Sequence, residues 1–150
     1  MQGDALRLPF GDDTFDAICT SPTYGNRFAD HHDARDGSTR RSYTHDLGRT
    51  LHPHNSGQMQ WGPAYRDFHE AAWAEAARVL APGGRFVLNI KDHVRRGRWV
   101  DCAGFHIATL QALGLRVVAI RPVATPSLRY GENGEKRVDA ELVVALEVTR

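Results

Sequence analysis

The stretch Cys19-Thr20-Ser21-Pro22-Thr23-Tyr24-Gly25-Asn26-Arg27 brings a hydroxyl, a proline, an aromatic ring and a cation close together. It follows an apolar run, Phe15 to Cys19, that reads as a buried strand, so the chain passes from strand into a sharp polar turn. The carboxyl end of a strand is where α/β enzymes keep their chemistry. The plainer reading is a Ser-Pro turn closing a strand, with Tyr24 in the core. A second set of reactive side chains lies between Asn26 and Gly62: Arg27, Arg35, Arg40, Arg41 and Arg49, with His31, His32, His45, His52 and His54. The arginines can neutralise phosphates, and Phe28 and Tyr43 can touch bases. Clustered histidines suggest zinc, but none pairs at helical spacing with a carboxylate motif and the stretch holds no cysteine, so no metal is expected. A polar stretch of this length is a substrate-contacting lid or a solvated loop.

Ser21-Pro22-Thr23-Tyr24 resembles the Ser-Pro-Pro-Tyr tetrapeptide of S-adenosylmethionine-dependent DNA amino-methyltransferases, which methylate cytosine N4 or adenine N6. Thr23 stands where that family has its second proline. The exocyclic amino nitrogen of a base is a poor nucleophile because its lone pair is delocalised into the ring. Two acceptors that take hydrogen bonds from its N–H groups draw it towards tetrahedral geometry and free the lone pair. The resemblance makes the Ser21 hydroxyl and the Pro22 carbonyl those acceptors. It sets Tyr24 to stack on a base flipped out of the duplex, a contact worth about 1–3 kcal/mol. Serine at the first position leans towards cytosine N4. Thr23 leaves Pro22 less restricted than a second proline would and restores a backbone N–H. With both acceptors retained, Thr23→Pro is expected to keep or raise the rate.

Gly3-Asp4-Ala5-Leu6-Arg7-Leu8-Pro9-Phe10, running on into Asp12 to Ile18, resembles the segment that leaves the third strand of such enzymes and enters the fourth. An acidic residue there accepts a hydrogen bond from the adenine amino group of the cofactor. Asp4 matches it, with Ala5 beside it; from the residues alone, Gly-Asp is a turn.

The elements that must position these groups follow from periodicity. Pro63 to Leu80 is the clearest helix, with Tyr65, Phe68, Ala72, Ala76, Val79 and Leu80 at three- and four-residue intervals. Ala81-Pro82-Gly83-Gly84 ends it, and Arg85 to Ile90 forms a strand. The string Val79 to Val87 resembles the junction between helix and fifth strand in class I methyltransferases. Lys91-Asp92-His93-Val94-Arg95-Arg96-Gly97-Arg98 reads as a charge-rich loop on the same sheet edge as Ser21. Trp99 to Leu113 reads as a second helix with Val100, Ala103, Ile107 and Leu110 buried and Gly114 at its end. Arg116 to Val123 and Ala140 to Val148 form a closing hairpin around an Asn133-Gly134 turn. Arg121, Arg129, Lys136 and Arg137 flank it, either as phosphate contacts or as edge protection.

The expected fold is therefore α/β: the second half of a class I, Rossmann-like methyltransferase sheet with a closing antiparallel hairpin. Residues 1–150 form one partial domain, with 26–62 as a long inserted loop expected to become ordered on DNA. Length and composition fit one soluble domain, and a net charge of +1 confines any nucleic-acid surface to local patches. Cys19 and Cys102 form no spaced motif and read as reduced core residues of a cytoplasmic protein. No signal peptide or membrane span is visible. The glycine-rich loop that cradles the methionine part of the cofactor is not visible either. A second chain or a missing first half is expected to complete the S-adenosylmethionine site, and Phe15 to Cys19 is expected on an open sheet edge that invites homodimer pairing. DNA is the expected partner, contacted by Asn26, Arg27, Arg40, Arg41, Lys91 and Arg129. The residues leave open an RNA base methyltransferase, or a catalytically silent remnant that binds nucleic acid or a partner protein.

Overall fold

The computed structural model describes residues 3–25, 47–125, 134–136 and 138–150. The chain begins with a turn at Asp4–Arg7 and enters β1 (Phe15–Thr20). After a short 3-10 turn at Ser56–Gln58 come α1 (Pro63–Val79), β2 (Leu80–Ile90), β3 (His93–Arg95), β4 (Arg98–Val100), α2 (Cys102–Ala112), β5 (Leu115–Ala124) and β6 (Ala140–Val148). Four strands make the main sheet in the order β1-β2-β6-β5. β1 and β2 are parallel, with α1 as the crossover, while β6 runs antiparallel to both β2 and β5. The closing antiparallel strand pair is therefore present, with its second strand inserted between β2 and β5; Asn133 of the expected turn lies outside the described residues, and Gly134 opens a 3-10 turn.

Strand alternation divides the sheet into two unlike faces. The row Ile18, Phe86, Leu146 and Val117 runs across the four strands, and Phe86 and Leu146 are completely buried. Leu88, Ile90, Val144 and Val148 join them, packed with Ala72, Trp73, Ala76 and Ala77 of α1 and Cys102, Ala103 and Leu110 of α2. The next row, Cys19, Val87, Ala145 and Ala119, points the other way, with Cys19 and Ala119 exposed and the other two half-buried. Both long helices thus cover one face. The sheet also ends at β1, whose only strand partner among the described residues is β2, which is the open edge expected of it.

Several expectations need correction. Cys19 is exposed and not a core residue, because it belongs to the uncovered face, whereas Cys102 is buried as expected. Lys91 to Arg98 is not a plain loop. Arg96 and Gly97 both take positive φ, 49° and 72°, the conformation of a tight two-residue hairpin turn, and Arg95 pairs with Arg98 across it. Trp99 and Val100 consequently lie in β4, with Trp99 exposed, and α2 starts only at Cys102, where the Asp101 carboxylate accepts from Gly104 N–H at 2.8 Å. β2 begins earlier than Arg85, since Leu80 already pairs with Phe15; the register then shifts across the Pro-Gly-Gly segment before Arg85 meets Ala17.

Candidate active site

At the carboxyl end of β1 the backbone turns inwards. Ser21 is exposed, Pro22, Thr23 and Tyr24 are half-buried, and Gly25 is buried. Successive carbonyls are each met from below. The Tyr65 hydroxyl donates to Thr23 C=O, Cys102 Sγ lies 3.9 Å from Tyr24 C=O, and Trp61 N–H donates to Gly25 C=O at 2.7 Å. The Thr23 hydroxyl also donates to Ser56 C=O at 3.2 Å. Gly25 sits at φ 68°, and a Cβ there would come within 3.0 Å of Trp61 N, so both conformation and space demand glycine. Ahead of these anchored groups, Ser21 Oγ and Tyr24 Oη are 3.0 Å apart. The turn therefore holds its later carbonyls by hydrogen bonds, while Ser21 is exposed and the Pro22 carbonyl has no hydrogen bond among the described residues.

Beneath the turn lies a cluster of polar-tipped rings. Tyr65 Oη is 2.9 Å from His106 Nε2 and 3.7 Å from Cys102 Sγ, and Trp73 Nε1–H donates to His106 Nδ1 at 2.8 Å. His69 Nδ1–H donates to the Tyr65 carbonyl at 2.8 Å. Burial pushes His106 down to about 3 and lowers His69 as well, so both are neutral. Burial pushes the Cys102 thiol up to about 12 and raises the Tyr65 phenol.

The β3–β4 hairpin closes one flank. Arg95 donates to Trp61 C=O at 3.0 Å and to the Gln60 side chain, so it braces the loop that holds Gly25 and is not a free phosphate ligand. Arg96 and Arg98 are exposed. Lys91 is half-buried, with Nζ donating to the Thr125 hydroxyl at 2.6 Å. Burial raises Asp92, whose carboxylate accepts from Ala103 N–H at 2.8 Å and so ties the end of β2 to the start of α2. Asp4 and Ala5 are exposed; Asp4 Oδ1 accepts from Leu6 N–H at 3.0 Å. The hydrogen bonds that follow run to α1, from Leu8 N–H to Glu75 at 2.8 Å and from Arg78 to Asp12 at 2.7 Å. Asn26, Arg27, Arg40, Arg41 and Arg129 lie outside the described residues. So does much of the 26–62 loop. Among the described residues no group of three or more metal-ligating side chains occurs, and no helix is long and apolar enough to cross a membrane.

Ser21 and Tyr24 meet through their hydroxyls, with Pro22 between them in the chain. The supports below them were missed: Trp61, His69, Trp73, Cys102 and His106, and the hydroxyl role of Tyr65, which periodicity marks only as a helix-stripe residue. A signal existed. Tyr65, His69 and Trp73 recur every four residues along the buried stripe of α1, and a polar-tipped ring in a core must find a partner.

No protein-family model matches the chain, and no curated protein matches it. Solved structures do. The chain is similar to TTHA0409 from Thermus thermophilus, provisionally described as a DNA modification methylase and solved with S-adenosyl-L-methionine, at 19% identity and TM-score 0.62, over 99% of this chain and 54% of that one. It is similar to the PvuII DNA methyltransferase, cytosine-N4-specific, at 16% identity and TM-score 0.59, over 97% of this chain and 47% of that one. The [4+2]-cyclase SpnF aligns at 14% identity and TM-score 0.54, over 98% of this chain and 54% of that one. This chain thus has the fold of part of a class I, Rossmann-like methyltransferase and spans about half the length of these structures. A cyclase on the same fold means that any activity must be argued from the site.

Proposed function

We propose that the chain is the base-binding half of an S-adenosylmethionine-dependent DNA methyltransferase acting on an exocyclic amino group, cytosine N4 in preference to adenine N6. The observation that carries this reading is the turn after β1, in which the carbonyls of Thr23 and Gly25 are hydrogen-bonded while Ser21 is exposed and the Pro22 carbonyl has no hydrogen bond among the described residues. An amino group has two N–H donors, and these are two acceptors one residue apart. When Tyr24 Oη–H donates to Ser21 Oγ, the serine proton points elsewhere; when the serine donates to Tyr24, its lone pairs are left for the base. The Tyr24 ring supplies the stacking surface. Cytosine is favoured by Ser21 and by the likeness to a cytosine-N4-specific enzyme.

S-adenosylmethionine, when bound, supplies a sulfonium methyl group open to attack. Asp4 fits its adenine end: Leu6 N–H fixes one carboxylate oxygen, and the side chain is exposed to an incoming amino group. The rest of the cofactor is held by a second half or chain. Arg40, Arg41, Arg27, Asn26, Lys91 and Arg129 contact the DNA, so binding weakens as salt rises.

The test is to express the protein together with a cofactor-binding half in a host free of DNA methylation and digest the genomic DNA to nucleosides. Mass spectrometry should find N4-methyldeoxycytidine, reduced about fivefold or more by Tyr24→Ala, as loss of about 1–3 kcal/mol of stacking requires. No methylated base, or an undiminished yield from Tyr24→Ala, removes this reading.

A further inference from the structure

The geometry points to a directional hydrogen-bond relay, Trp73 to His106 to Tyr65 to Thr23, that positions the base-holding turn from within the core, with Tyr65 as the positioning residue and His106 as the element that sets its direction. This rests on the function proposed above only for what the turn holds, and not for the relay itself.

The direction is forced from one end. An indole N–H can only donate, so His106 Nδ1, 2.8 Å from Trp73 Nε1, must accept. A neutral imidazole then carries its proton on Nε2, which faces Tyr65 Oη at 2.9 Å. That bond occupies a lone pair of the phenol and leaves its single proton for the Thr23 carbonyl. Reversing any member would set two donors or two acceptors against each other in a place where Tyr65 and His106 are both fully buried. The rings facing His106 are His69 at 5.0 Å, Phe105 at 5.0 Å, Trp73 at 5.5 Å and Tyr65 at 5.8 Å. With Cys102 beside Tyr65, the titratable groups among them are all neutral, which is consistent with a relay that carries orientation and no charge.

The consequence falls on Pro22. Its carbonyl belongs to the peptide unit ending at the Thr23 nitrogen, so rotation of Thr23 is the motion that would swing it. Thr23 is pinned at its own carbonyl by Tyr65 and at its hydroxyl by Ser56. The hydrogen bonds of Thr23 thereby do what the ring of a second proline would do covalently. Trp73, on the far side of His106, controls the turn without touching it.

The test uses the isotope-labelled chain without ligand. Long-range proton–nitrogen spectra of the His106 ring should show one tautomer, protonated on Nε2. The turn is read through amide exchange of Trp61, whose N–H is bonded to Gly25 C=O. Tyr65→Phe and Trp73→Phe should each speed Trp61 exchange at least about tenfold, while the Leu88 amide in the core keeps its protection. Trp73→Phe should also convert His106 into a mixture of tautomers. An Nδ1-protonated His106 in the unaltered protein overturns the relay. So does Trp61 exchange that responds to Tyr65→Phe but not to Trp73→Phe, because the turn is then held by Tyr65 alone. If Trp73→Phe fails to fold, the His106 tautomer in the unaltered chain still decides. A chain that shows the relay yet yields no methylated base in the genomic assay keeps this inference and loses the proposed function.

Discussion

Thr23 alters what its own substitution should do. From the sequence, a proline at this position is neutral or favourable, since the two proposed acceptors precede it and are retained. In the structure the Thr23 hydroxyl donates to Ser56 C=O, 3.2 Å away across the turn. Removing one hydrogen bond of this kind costs about 0.5–1.5 kcal/mol. Thr23→Pro should therefore lower stability by about 1 kcal/mol in urea denaturation, and Thr23→Ser, which keeps the hydroxyl, should lose less. Equal losses from the two would mean that the hydroxyl bond contributes nothing. The proposed acceptor pair could be read from Ser21-Pro22-Thr23-Tyr24 because its members are neighbours in sequence. Tyr65, Trp73 and His106 were not, because residues far apart in the chain meet only once α1 and α2 have packed.

At the scale of elements, periodicity served well where one face of a segment is buried. α1 and β6 lie where their apolar patterns put them, within a residue at either end. It failed where local backbone chemistry decides. The Arg96-Gly97 turn makes a hairpin from a segment whose charges suggested only a loop, and that hairpin takes Trp99 out of the helix. Helix packing has a further consequence in acid. Burial holds His69 on α1 and His106 on α2 below the ordinary 6.5. Below that pH the unfolded chain takes up protons that the folded chain refuses. Their stabilising contribution is thus complete above about pH 6.5 and is lost as pH falls towards the folded values, about 3 for His106. Each fully titrating histidine imposes a slope of about 1.4 kcal/mol per pH unit. Glu75, which the Arg78 hydrogen bond holds down to about 2, adds its own loss only below its ordinary range near 4.5. Urea midpoints should fall steadily from about pH 7 to pH 5, and His106→Gln should flatten that slope; a constant midpoint over the interval contradicts the buried neutral histidines.

For the whole molecule the decisive feature is the imbalance of the sheet. Both long helices pack on one face, while the row Cys19, Val87, Ala145 and Ala119 crosses the other, and β1 has no second strand beside it among the described residues. Apolar side chains next to unpaired backbone groups favour pairing with another chain. On the function proposed above, the cofactor-binding half would pair along β1 and cover the face that carries Cys19. Two thiols report on this directly. Cys102 is buried, and burial pushes its thiol up to about 12, so it should stay unreactive until the chain unfolds. Cys19 is exposed and should react at once in the isolated monomer. At rising concentration the chain should self-associate and Cys19 labelling should slow; adding a cofactor-binding half should protect Cys19 and strengthen S-adenosylmethionine binding in parallel. Calorimetry, size-exclusion chromatography and thiol labelling of the same samples check this. Tight cofactor binding by a clean monomer with Cys19 still reactive would show that the uncovered face and open edge are not where the cofactor half belongs.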